Sequence, residues 1–470
     1  MYHFNLFIVK ILRLVFLFFL TVSCSCDNDK DIVENNPPTT VEPPVVTDPI
    51  PDTELLDMVQ KDAFKYFWDY AETNSKLARE RYHTDNPSLD ANIVTTGGSG
   101  FGLMTILTGI ERGFVTRQQA AERLNTALIF LENADRFHGA WPHWMNGVNG
   151  DVIPFGNDDN GGDLVETSFL CQGLICVREY FKNGNAAEQA LALKADQLWK
   201  GVDWNWYTRG GQNVLYWHWS PNYEWIKNFK LEGYNECLIT YIMAAASPTH
   251  PINAQAYHQG WAKNGNIKHP GMRYNLPVVF NYNGATGNVG PMFWAHYSYM
   301  GLDPTGLTDQ YADYWQLTQN HAKIMYNYCV QNPIGWRGYS DSVWGLTASY
   351  TRESNGSTGY TAHQPNNDNG VITPTAALSS FPYTPVESMK ALHYLYENKA
   401  LNLIGVAGPY DAFSPHYNWV TPRYLAIDQG TIAPMIENHR TGLLWNLFMN
   451  APEVRAGLQN LGFHSSAHGI

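Results

Sequence analysis

Residues 158–177 read DDNGGDLVETSFLCQGLICV, and the pattern changes halfway through them. Up to Glu166 the stretch is acidic and flexible: Asp158, Asp159, Asp163 and Glu166 surround a Gly-Gly pair. From Leu164 the apolar residues recur at helical spacing, through Val165, Phe169, Leu170, Leu174, Ile175 and Val177. An acidic loop therefore runs into the first turn of a core helix. If that turn opens into a cleft, clustered carboxylates push one another's pKa values apart, so that one can serve as acid and another as base. A plainer reading competes with this one. Asp163 is placed as an N-cap, Glu166 completes a capping-box-like pattern, and acids in a first turn suit the helix dipole. Capping leaves Asp158 and Asp159 unexplained. An EF-hand calcium loop fails, because counting from Asp158 puts Phe169 where the closing Glu is needed.

Outward from this stretch the pattern stays helical. Periodicity predicts helices over 54–73, 100–112, 117–134, 163–182, 187–200, 233–246, 253–262, 291–300, 308–331, 373–380, 385–398 and 430–449. Thr116 and Gln119 form a capping box, and Pro385 suits a helix start. Ile436, Leu443 and Leu447 share one stripe of the last helix. Strand-like alternation is scarce, and no linker interrupts 53–465. About twelve helices with alternating short and long loops fit six helical hairpins closed into a ring, an all-α (α/α)6 barrel. The long loops, 74–99, 135–162, 201–232, 263–290 and 332–372, hold most of the Trp, Asn, Gly and His. They are expected to wall a cleft at one end of the barrel, where function tends to reside.

The 470-residue chain is 44% hydrophobic, which is ample for a large core. Its net charge of −13 argues against a nucleic-acid partner, which requires a basic face. Many of the 16 Trp and 28 Tyr lie in Gly/Asn-rich stretches such as Trp141–Trp144 and Trp204–Trp225. Aromatic loops suit stacking on sugar C–H faces, with Asn, Asp and His holding hydroxyls. Cys171, Cys176, Cys237 and Cys329 sit in apolar helical contexts and read as buried small residues, so neither a disulfide framework nor a metal site is expected. There is no GxSxG elbow, P-loop or HExxH, and no cofactor is implied.

Residues 1–23 read as an export signal: Lys10 and Arg13 precede the apolar run Leu14–Leu20. Thr21-Val22-Ser23-Cys24 resembles a lipobox, which implies cleavage before Cys24 and its acylation. Residues 24–52, with Asp27, Asp29, Asp31 and a Pro/Thr/Val-rich run, suit an extended tether. The catalytic domain is then 53–470. The expectation is a monomeric lipoprotein of a Gram-negative envelope, anchored to a membrane on the periplasmic side or at the outer membrane.

Three other segments carry chemistry. In Gly233-Tyr234-Asn235-Glu236, Glu236 adjoins Cys237, Leu238 and Ile239, and partial desolvation there would raise its pKa and suit a general acid; a solvent-facing first-turn Glu fits equally well. In Ile427-Asp428-Gln429-Gly430, Asp428 is placed to cap the last helix, and Arg440 to pair with Glu437. Trp344-Gly345-Leu346-Thr347-Ala348-Ser349 reads as pocket wall or turn.

Together, ERGFVTRQQA (111–120), GYNE with SPTHP (233–251), WGLTAS (344–349), TPTAALSS with FPYTP (373–385) and AIDQGTIAPMIENHRTGLLW (426–445) resemble the glucoamylase-like domain family. That family includes the endo-β-1,2-glucanases and sophorose-releasing hydrolases of glycoside hydrolase family 144. The resemblance implies an (α/α)6 barrel, hydrolysis of β-1,2-linked glucose by an inverting mechanism, and no required metal. It places catalytic acids at Asp159, Asp163, Glu166, Glu236 and Asp428, with Glu236 as general acid. Trp141, His143, Tyr234, Asn235, Trp344 and Arg440 are the corresponding expectations for substrate binding. Asn146 departs from the family pattern, which carries an Asp there. The rival readings are a non-catalytic glycan-binding lipoprotein and a hydrolase or lyase of another polysaccharide on the same barrel.

Overall fold

The computed structural model describes residues 49–398 and 400–470, and Pro49–Ile470 form one compact unit. The export signal, Cys24 and most of the tether lie outside the described residues. No described helix is long and apolar enough to cross a membrane.

Among the described residues twelve α-helices follow in order: α1 (Asp52–Trp68), α2 (Thr96–Glu111), α3 (Arg117–Asn133), α4 (Leu164–Phe181), α5 (Ala186–Lys200), α6 (Leu238–Ala246), α7 (Tyr314–Gln331), α8 (Pro374–Leu378), α9 (Pro385–Glu397), α10 (Ala426–Thr441), α11 (Leu443–Met449) and α12 (Pro452–Asn460). A π-helical turn at Ala256–Trp261 and the 3₁₀ turns Met292–Ala295 and Tyr297–Tyr299 replace the helices expected at 253–262 and 291–300.

Burial sorts these segments into two rings. α3 buries only the stripe Ala120, Leu124, Ala127, Leu128 and Leu131, as expected of a helix with one face on solvent. α6 is buried on every side, and α4 leaves only Glu179 and Tyr180 outside the core among its eighteen residues. Helices apolar or enclosed all round belong to an inner layer. α10 packs on α2, α2 on α4, α4 on α6, and α6 on Tyr297–Tyr299, while α8 packs on α10. Ser380 Oγ lies 3.0 Å from His296 Nε2, and the Tyr383 hydroxyl donates to the Ala295 carbonyl at 2.9 Å, joining the last gap. The inner ring is thus closed, and the alternating outer segments complete an (α/α)6 barrel.

The tightest inner contact depends on two glycines. A Cβ on Gly100 of α2 would lie 2.4 Å from the Phe169 carbonyl oxygen, and one on Gly173 of α4 would lie 2.4 Å from that of Gly100. No side chain fits between these backbones, so the helices approach as closely as they do only with glycine at both positions.

The Thr116/Gln119 capping box is present, and Pro385 occupies the first turn of α9. The expected helix 430–449 is instead two helices, broken at Gly442, whose φ of 72° is the left-handed C-terminal stop that glycine favours. Asp428 does not cap it. α10 starts four residues earlier than expected, with Leu425 at the cap position, and Asp428 is buried inside the first turn. Short strand pairs, not evident as alternation, brace the loops: Ile93–Thr95, Trp144–Asn146 and Val152–Ile153 form a sheet, and Ala348–Arg352 pairs with Thr358–Ala362.

Candidate active site

The inner segments bring their N-terminal ends to one side of the barrel, and a cavity of about 420 Å³ opens there. Four of the five long loops expected to wall a cleft contribute: Glu80, Arg81 and Thr95; His143, Trp144 and Phe155; Trp217; Ala348 and Tyr360. The inner ring supplies Glu166, Phe169, Glu236, Phe293, Tyr297 and Ile427.

Asp163 and Glu166, read as a reciprocal capping box, do different things. Asp163 is the N-cap of α4, its Oδ1 accepting from the Val165 and Glu166 amides at 3.0 and 2.9 Å. The Trp217 indole Nε1 also donates to that oxygen, at 2.9 Å. The Asp163 amide donates to the Trp141 carbonyl, so Glu166 has no amide to return to. Glu166 instead turns to the cavity, its Oε2 accepting from the Gly97 amide at 2.7 Å. A Cβ on Gly97 would lie 2.5 Å from that same oxygen, so glycine is what lets the backbone reach the carboxylate.

His143 joins the two acids. Its Nδ1 lies 2.8 Å from Asp163 Oδ2. Burial alone would discharge its ring, but the charges of Glu166 and Asp163 and the Asp163 hydrogen bond outweigh that and push its pKa up to about 9. Burial pulls Asp163 upward, yet the His143 hydrogen bond and the His218 and His143 charges hold it below the usual carboxylate range. Glu166 is raised, chiefly by burial, with the His143 charge opposing. The arrangement is an ion pair, His143⁺ and Asp163⁻, beside a carboxyl inclined to hold a proton. Phe155 stacks on the His143 ring at 3.9 Å between centroids, forming part of the wall.

Glu236 lies in the turn before α6, not inside a helix, and its side chain borders the cavity. The Ser298 hydroxyl donates to its carbonyl and fixes the turn. Burial raises its carboxyl to about 7, and the Glu166 and Asp163 charges add to the rise. The Trp294 indole pulls the other way, although its Nε1 makes no hydrogen bond of ordinary geometry. A carboxylic acid protonated near neutrality, inside a cavity that also holds Glu166, is suited to donate a proton to a leaving oxygen.

The other expected positions fall elsewhere. Asp428 stands behind the cavity wall, its Oδ1 accepting from the Tyr297 hydroxyl at 3.3 Å. Asp159 is buried beside His218, 3.5 Å from its Nδ1, off the cavity wall but near enough for its charge to favour the His143 cation. Trp141 is core: its Nε1 donates to the Leu131 carbonyl and Arg136 covers its ring. Tyr234 and Trp344 are likewise buried, donating to the Trp294 and Glu387 carbonyls. Asn235 Oδ1 accepts from the Cys237 amide within its own turn. Arg440 is twelve residues beyond Asp428 on α10, about 18 Å along the axis. It pairs with Asp57 and Gln60, while Glu437 pairs with Arg112. Of the residues expected to bind substrate, His143 alone lines the cavity. Asn146 uses its side chain on the Val148 amide and lies off the cavity wall. Glu80, Arg81, Tyr297, Tyr360 and Asp411 were missed. The alternation Arg79-Glu80-Arg81 reads as a solvated run, and Tyr297 reads as core.

The site predicts a pH signature in stability. His143 titrates near 9 in the folded chain and near its ordinary 6.5 when unfolded, so the folded state binds the extra proton. The stabilisation is complete below about 6.5 and is lost as pH rises through about 9. His143→Gln should therefore flatten the fall in unfolding free energy between those values in denaturant titrations. An unchanged slope would mean that His143 carries no excess proton.

The chain is similar to known proteins over most of its length. The family model described as "Putative glucoamylase" matches residues 228–452. An endo-β-1,2-glucanase from Chitinophaga pinensis, solved with sophorotriose and glucose, is 56% identical with a TM-score of 0.86, over 88% of this chain and 99% of that one. A β-1,2-glucanase from Parabacteroides distasonis is 43% identical with a TM-score of 0.82, over 88% of this chain and 60% of that one. The exo β-1,2-glucooligosaccharide sophorohydrolase of Parabacteroides distasonis is 44% identical over 92% of this chain, which spans 61% of that relative's length. With more than half of the aligned residues identical and its fold matched over nearly the whole of a solved relative, the chain belongs to the glucoamylase-like family that contains these proteins.

Proposed function

We propose that this chain is a glycoside hydrolase that cleaves β-1,2-linked glucan by an inverting mechanism, with Glu236 as general acid. The observation that carries this reading is Glu236, held protonated near neutrality on the wall of the cavity it shares with Glu166. The relatives named for β-1,2-glucan hydrolysis supply the substrate class. Glu236 gives its proton to the glycosidic oxygen as the C1–O bond breaks, and water enters from the opposite ring face. Glu166 and the His143–Asp163 pair hold the sugar and the charge that develops on it. Phe155, Trp217 and Tyr360 offer stacking surface for successive glucose rings. The chain is exported and anchored through Cys24, acting as a monomer in a Gram-negative envelope, with residues 24–52 as its tether.

The purified soluble portion should release short oligosaccharides or sophorose from linear β-1,2-glucan, and proton NMR should show the α-anomer first. A ladder of sizes would mean internal cleavage, and a single disaccharide from the outset would mean release from an end. Inertness on β-1,2-glucan would overturn the proposal, and first formation of the β-anomer would overturn inversion.

A further inference from the structure

Two buried carboxyls behind the cavity make no salt bridge among the described residues, and the nearest cation, Arg81, is paired with Glu80. Asp411, in the loop between Gly408–Pro409 and Phe413–Ser414, is 5% exposed, and Asp428, in α10, is 3% exposed. They lie within hydrogen-bonding reach of each other. Asp411 Oδ1 and Asp428 Oδ2 are sealed from solvent and have no other hydrogen-bond partner. Two ionised carboxylates only accept, so a contact between them requires a proton. The surroundings decide who holds it. The Tyr350 amide donates to Asp411 Oδ2 at 2.8 Å, and the Arg81 charge favours the anion there, against Glu80. Asp428 has only the Tyr297 hydroxyl, at 3.3 Å, so it is the protonated member and Asp411 the ionised one.

The Tyr297 proton is thereby committed to Asp428, which leaves its oxygen as an acceptor on the wall of the cavity. A continuous chain of donors and acceptors runs from that wall to Asp411. We propose that Tyr297, Asp428 and Asp411 form a proton relay that removes the proton of the attacking water, with Asp411 as terminal acceptor. The inference rests on the hydrolase reading above. As the water oxygen bonds to C1, its O–H bond breaks and the proton passes to Tyr297. The Tyr297 proton moves to Asp428 Oδ1, and the proton on Asp428 Oδ2 moves to Asp411 Oδ1. Glu236 loses its proton to the leaving oxygen in the same event, so net charge is conserved. Asp411 then returns its proton, and Glu236 regains one, by exchange with solvent.

Asp411 acts through Asp428 and touches no substrate, so its role must be separated from packing. Asp411→Asn keeps the shape but cannot take up a proton. It should lower kcat on β-1,2-glucan by about 100-fold or more, the scale of a positioned base, with KM nearly unchanged. Tyr297→Phe should do the same, and it carries the test should Asp411→Asn fail to fold. Wild-type kcat in either variant overturns the relay. Infrared difference spectra give a readout independent of turnover: the wild type should show a protonated carboxyl stretch that Asp428→Asn lacks and that Asp411→Asn shifts, because its hydrogen-bond partner is gone. Identical spectra would overturn the shared proton. A wild type that shows the band yet hydrolyses no glucan would instead overturn the hydrolase reading, leaving the pair intact.

Discussion

Glu236→Gln is expected to lower kcat on β-1,2-glucan by about 10³-fold or more while oligosaccharide binding persists. Positioned general acids contribute on the order of 10²–10⁴-fold, and an alkoxide-like leaving group on a sugar depends on its acid strongly. Gln keeps the size of Glu and the turn that Ser298 fixes through the backbone, so the loss should fall on the chemical step. Two controls sharpen the result. A sophoroside with an aryl leaving group needs little protonation, so the variant should hydrolyse it at near wild-type rate. The wild-type rate should also fall as pH rises through about 7, because the acid works only while protonated, and that limb should vanish in the variant. An undiminished kcat on glucan would remove Glu236 as the acid.

Asp163→Ala should cost about 3 kcal/mol or more of unfolding free energy, measured by denaturant titration at neutral pH. Losing an N-cap costs about 0.5–2 kcal/mol, and here two amides and the Trp217 indole lose one acceptor together. Removing one member of a buried ion pair costs about 3–5 kcal/mol when the other charge stays unpaired, though the His143 ring can shed its proton and recover part of that. Asp163→Asn separates the two contributions, because Asn remains a good cap but offers His143 no charge. The Asn variant should retain most of the cap energy and lose the elevated His143 titration. A drop of less than about 0.5 kcal/mol in the Ala variant would contradict the cap and the pair alike.

The barrel was legible because its elements are local. The outer helices show a burial stripe, and their caps and stops are short-range signals, as at Thr116 and Pro385. Inner helices are enclosed on all sides, so their ends carry little periodicity. That is why α10 begins before its expected start and why the break at Gly442 was not foreseen. The site was legible where a residue's own surroundings announced it. Glu236 beside Cys237 and Leu238 is such a case. Residues whose role arises from three-dimensional meeting gave no such warning. Trp141 and Trp344 look like sugar platforms on glycine-rich loops, yet both are core, because each has a carbonyl for its indole N–H. Asp411 sits in an ordinary turn, and only the approach of Asp428, Tyr350 and Arg81 gives it a function. Family likeness gave catalytic roles to Asp159, Asp163, Glu166, Glu236 and Asp428, but it carried nothing on which of them face the cavity.

The most direct test of the account is the structure of the Glu236→Gln variant with a β-1,2-linked glucooligosaccharide bound. The account predicts a glycosidic oxygen at hydrogen-bond distance from the amide that replaces the Glu236 carboxyl, one flanking ring against Glu166 and His143, and another beneath Tyr297. An oligosaccharide that binds this barrel with every glycosidic oxygen out of reach of position 236, or that leaves this cavity empty, would contradict it.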